Sequence, residues 1–198
     1  MSNAAGTDDV HVLSNWGASG ERYAFQKQVP SRIAYQPSVT WGYSVPPSAT
    51  AYCWTKLLLD RHTKLSDFDD GALGNLGEGH HERIMELPPG KSVESVVTDY
   101  LALLYKHMMR QLEQKISAAL LDVIPIDFWF TLPAMWSIRA QNMTRDAALR
   151  AGFGSREGDA IYLISEPEAA AVACLQELTL PGSSHRAVNV QVRPCPGD

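Results

Sequence analysis

Residues 128–171 leave few choices of architecture. Phe128-Trp129-Phe130-Thr131-Leu132 is a short apolar run of aromatic and β-favouring residues, the composition of a buried strand. Pro133 ends it, because a proline has no N–H to give to a sheet ladder. Gln141 to Phe153 then carries Met143, Ala147, Ala148, Ala151 and Phe153 mainly at three- and four-residue spacings. That spacing predicts an amphipathic helix with Gly152 near its end. Ile161, Leu163 and Ile164 predict a second strand. Ser165-Glu166-Pro167-Glu168-Ala169-Ala170-Ala171 opens another helix. Pro167 suits its first turn, where no N–H is needed, and Glu166 lies at its positive end. Strand, helix and strand at these lengths make a parallel crossover, so the segment predicts an α/β layer.

Upstream, a long helix is predicted from Ser92, with Val93, Val96, Val97, Tyr100, Leu103, Leu104, Met108, Leu112 and Ile116 in one apolar stripe. Pro125 ends that element before a strand at Ile126. The chain divides into four parts: a polar, frayed terminus over 1–20, a strand-and-loop subdomain over 21–91, a helix plus β-α-β-α core over 92–181, and a divergent tail over 182–198. Within the second part, residues 67–79 hold four glycines and three aspartates, a long turn or mobile loop. In the tail, Val188, Val190 and Val192 alternate as a further strand would.

Charge excludes some partners. Lys plus Arg is 17 against 22 Asp plus Glu, a net charge of −5, which argues against nucleic acid or an anionic membrane held by bulk charge. At 198 residues and 45% hydrophobic content the chain can bury a real core. Cys53, Cys174 and Cys195 are widely spaced with no Cys-x-x-Cys, so reduced structural thiols are expected. There is no basic-then-apolar leader and no apolar run of bilayer length, which predicts a soluble cytoplasmic protein. Gly17-Ala18-Ser19-Gly20 and Gly74-Asn75-Leu76-Gly77-Glu78-Gly79 match no phosphate-cradling loop and predict flexible turns. His80-His81-Glu82 lacks metal-ligand spacing, and no metal site is expected. Ser31, Ser165 and Ser183 have no nucleophile-elbow context. His107 lies on the apolar side of the long helix as a core-edge residue.

Three motifs together resemble a known family. Leu132-Pro133-Ala134-Met135-Trp136, a polar helix and Ser165-Glu166-Pro167-Glu168-Ala169-Ala170-Ala171 are similar to the VPAYF and NEPTAAA segments of the ATPase domain of the 70 kDa heat-shock chaperones, in the actin-like ATPase superfamily. Val29-Pro30-Ser31-Arg32-Ile33-Ala34-Tyr35 is similar to the VPS-x-[IV]-A-[FY] strand there, and Trp41-Gly42 suits the turn that follows. The resemblance spans roughly Asn15 to Leu178. It implies a partial actin-like ATPase (ribonuclease H-like) lobe: a mixed sheet with parallel crossover units flanked by helices.

The resemblance also assigns roles. Lys56 falls where the family has a lysine that orients the γ-phosphate and attacking water, and Glu166 where a glutamate arranges metal-bound water. Pro133 matches the switch proline, Pro167 the proline of the Glu-Pro turn, and Gln141 the position of the switch arginine. Gln cannot supply that permanent positive charge, and Arg139 or Arg145 lies one turn away as a substitute. ATP or ADP with Mg2+ is the implied cofactor, and protein clients or co-chaperones the implied partners. Neither the Asp-x-Gly-Thr-Thr nor the Asp-x-Gly-Gly-Gly-Thr hairpin is present, so weak or no ATPase activity is expected of this chain. The alternative is a non-catalytic scaffold of that fold. A lobe without its first strands is expected to leave an unpaired sheet edge beside the Val29 or the Phe128 strand, and to self-associate there.

Overall fold

The computed structural model describes residues 12–14, 16, 26–60 and 82–179. Expectations for residues 61–81 and 180–198, including His80, His81, Ser183, Cys195 and the alternating valines, lie outside the described residues, as does most of 1–25.

Two sheets meet one long helix. The first holds β1 (Arg32–Ala34), β2 (Thr40–Trp41), β3 (Ala51–Cys53) and β4 (Glu82–Ile84) in the order β2-β1-β3-β4. Its first three strands are antiparallel, and β4 runs parallel to β3. The turn after β2 depends on Gly42, whose φ of +54° and contact with the Val29 side chain leave no room for a Cβ. Arg32 Nε donates to its carbonyl at 2.9 Å, tying β1 to that turn.

Helix α1 (Val93–Ile116) starts where Ser92 Oγ accepts the Ser95 N–H at 3.2 Å. It ends well before Pro125, because Ser117 takes φ +66° and a short helix, α2 (Ala118–Leu121), intervenes. The second sheet is the parallel pair β5 (Asp127–Leu132) and β6 (Ala160–Ser165), in register from Asp127 opposite Ala160 to Leu132 opposite Ser165. Between them lies α3 (Ile138–Ala151), and α4 (Glu166–Thr179) follows β6 without a gap. The whole is α/β, with a mixed sheet, a parallel pair and flanking helices.

Helix α3 begins three residues before Gln141 because Ser137 caps it, its Oγ accepting the Ala140 N–H at 3.3 Å. It ends in a left-handed Gly152 at φ +109°. The Gly152 N–H reaches Leu149 O and the Phe153 N–H reaches Ala148 O, both at 3.1 Å, the paired bonds of a Schellman turn. Phe153 therefore leaves the helix and turns into the core.

That core has two halves along β5. Leu132 packs with Val97, Leu59, Trp136, Ala140 and Ala147, and Phe128 with Ala148, Ala151, Phe153 and Ile161. The alanines on α3 let it approach α1 closely, while Phe128 and Phe153 meet edge to face at 5.1 Å. Each large side chain so buried contributes about 1.5–3 kcal/mol. Strand β1 is flanked on both sides, so the free edge expected beside the Val29 strand is not there. Among the described residues, strand β5 pairs with β6 on one side and with no strand on the other. Cys53 is buried in β3 and Cys174 is exposed on α4. No helix among the described residues is long and apolar enough to cross a membrane.

Candidate functional site

Lys56 and Glu166, 110 positions apart in the chain, meet at the carboxyl end of the parallel pair, with Lys56 Nζ 3.7 Å from Glu166 Oε1. Both side chains are about half exposed, at 47% and 51%, so the pair itself adds only about 0–1 kcal/mol to stability. What matters is how each is placed.

Lys56 sits in the 3-10 turn Thr55–Leu59 that follows β3. Trp54 enters this turn at φ +56°, a left-handed conformation that a tryptophan adopts at a cost of about 1–2 kcal/mol. The turn is anchored by Leu59 in the core and by the buried Asp60, whose Oδ2 accepts the Ser137 N–H at 2.8 Å. One carboxylate thus joins the lysine turn to the first residues of α3. Lys56 Nζ also lies 5.9 Å from the centre of the buried Trp136 ring, which restricts its swing.

Glu166 is the first residue of α4, and the sequence around it folds as a capping box. Ser165 Oγ accepts the Glu168 N–H at 3.3 Å, while Glu168 Oε2 accepts from the Ser165 N–H at 3.1 Å and the Ser165 hydroxyl at 2.7 Å. The Ser165 hydroxyl and N–H hold the Glu168 carboxyl below its ordinary range. Pro167 occupies the first turn and is exposed. Because Glu168 already closes this helix end, positive charge for an anion comes here from Lys56, not from bare α4 amides.

Pro133 and Gln141 come together as well. They line a cavity of about 180 Å³ with Leu132, Leu163, Ser165 and Glu168, at the carboxyl end of β5 and β6. Gln141 Nε2 donates to Trp136 O at 3.1 Å, so its side chain braces the Pro-Ala turn. Arg145 Nη1 is committed to Ile161 O at 3.1 Å, near the opposite end of β6, and Arg139 is exposed, with its charge acting on Glu94 of α1.

Lys56, Glu166, Pro133 and Gln141 are legible in the chain only through the family resemblance, and the groups that hold them are not part of it. Ser165-x-x-Glu168 is a capping-box signature legible in the chain. Asp60 carried no signal, since its partner lies 77 residues away. The same holds for Arg156 and Asp159, paired at 2.9 Å, which clamp the start of β5. Asp159 Oδ1 accepts the Ile126 N–H at 2.8 Å, and Arg156 donates to the carbonyls of Leu121 and Ile124.

For a nucleotide, the donor set has a defined reach. Magnesium on a phosphate chain keeps several of its waters. One carboxylate, Glu166, fits the holding of such a water, and one ammonium, Lys56, fits a phosphate oxygen. Among the described residues no three His, Cys, Asp or Glu side chains converge as a metal cage. No family model and no curated protein matches the chain.

Proposed function

We propose that the chain is a lobe of a chaperone-like nucleotide-binding fold, of the actin-like ATPase type, and that it supplies one half of a phosphate site. The observation that carries this reading is the Lys56–Glu166 contact at the carboxyl end of β5 and β6. In α/β sheets ligands bind outside the carboxyl ends of the strands. Two residues singled out for phosphate and metal-water contact are held there by separate supports, Asp60 for one and the capping box for the other. On this reading Lys56 would take a phosphate oxygen and Glu166 would hold a water of the magnesium, with the cavity lined by Pro133 and Gln141 at the same end of the strands. Turnover is weak or absent, since one ammonium and one carboxylate leave the remaining phosphate charge uncompensated.

Thermal-shift titration with magnesium pyrophosphate and with Mg-ADP tests the assignment. The melting temperature of the wild type rises with either ligand, and Lys56→Ala abolishes the rise. Glu166→Gln keeps the pyrophosphate shift without magnesium but loses the added effect of the metal. Equal shifts in all three proteins would rule the site out.

The free edge of β5 favours a second reading, that of an interaction scaffold, and it has consequences of its own.

A further inference from the structure

The backbone of β5 offers a row of hydrogen-bonding groups that no other described strand uses. Ile126 O accepts the Ala160 N–H, so the even-numbered residues of β5 face β6. Asp127, Trp129 and Thr131 therefore direct their N–H and C=O groups to the other side, where no described strand lies. A cleft of about 560 Å³ runs along this side. Every residue from Ile126 to Leu132 lines it, residues of both sheet faces among them, as expected of a cleft that follows a strand's edge. No residue of β6 lines it. Tyr100, Leu101, Leu104 and Met108, one stripe of α1, form its floor, and Leu13 and Ser31 its far wall.

The two charged residues of the lining sit toward opposite ends. Asp127 opens β5, and Lys56 lies at the Leu132 end, beside Glu166. Ladder groups at strand spacing ask for an extended backbone, the apolar lining asks for apolar side chains, and Asp127 asks for a basic residue at its mouth, whereas Lys56 at the other mouth already faces Glu166. A helix satisfies its own backbone and would leave the β5 groups unpaired.

We propose that this cleft binds an extended, apolar segment of a partner protein by strand addition to β5, with a basic residue at the Asp127 end. The mode is β-augmentation, in which the ladder supplies affinity and the charged end sets direction.

Fluorescence anisotropy of two labelled peptides tests it: Glu-Val-Thr-Val-Thr-Val-Lys and its charge-swapped form, Lys-Val-Thr-Val-Thr-Val-Glu. One binds more tightly than the other, because the wrong order sets a carboxylate against Asp127. The preferred order identifies the strand's direction. Asp127→Lys, an exposed position outside the phosphate site, reduces or reverses that preference. N-methylation of alternate peptide amides, which keeps the side chains but removes ladder donors, abolishes binding. Equal binding of the two peptides, or undiminished binding of the methylated one, overturns the proposal. So does light scattering that shows a dimer whose dissociation must precede peptide binding, since the edge would then belong to a second copy.

Discussion

His107 is the residue whose surroundings depart furthest from what its position in the chain implies. It is 8% exposed, stacked on Trp16 at 5.2 Å and edge-on to Trp41 at 5.8 Å, and its buried Nε2 has no hydrogen-bond partner among the described residues. Burial lowers its pKa, and Arg110 on the same helix lowers it further. The unfolded chain then takes up the proton first as pH falls. Stability is full above the unfolded value of about 6.5, declines below it, and levels off once pH passes the lower folded pKa. Melting temperature recorded from pH 7.5 to 5 should show this decline in the wild type and a shallower one in His107→Phe. Parallel profiles would show that the imidazole contributes nothing. A histidine on an apolar stripe was legible as a core-edge residue. The tryptophans enclosing it come from positions 91 and 66 residues earlier, and no periodicity reports such distances.

At the scale of the element, local chemistry decides where helices begin and end, and much of it was readable. Ser92, Ser137 and Ser165 each open a helix, and Gly152 closes one. Ser165→Ala removes the hydroxyl from the capping box, which should cost about 1 kcal/mol and loosen Glu166. Urea denaturation measures the first effect, and a weakened magnesium effect on ligand binding the second; an unchanged midpoint would show that the box is idle. Gly152→Ala puts a Cβ 3.0 Å from the Tyr105 ring at φ +109°. It should cost at least about 1–2 kcal/mol from the backbone alone. A midpoint within error of wild type would mean that the Schellman turn relaxes freely. Helix boundaries slipped by a few residues where a cap competed with apolar spacing, as at Ser137 against Gln141. The break at Ser117 was not anticipated, because the apolar stripe runs up to it and no Gly or Pro marks the stop.

For the whole molecule, the parallel crossover was legible, because periodicity and proline placement are local. The placement of the first sheet against it was not. It rests on long-range contacts such as Asp60 to Ser137 and Tyr35 to Asp99, the latter at 2.9 Å. Those contacts bring Lys56 from one sheet to Glu166 on the other, and the candidate site exists only in the assembled molecule. Calorimetric titration with Mg-ATP tests that arrangement most directly. Half a site should give saturable heat with a Kd of about 1 mM, near −4 kcal/mol, weakened about tenfold or more by Lys56→Ala. No heat at nucleotide concentrations of about 10 mM, or a Lys56→Ala, Glu166→Gln double variant that binds as the wild type does, would contradict the account.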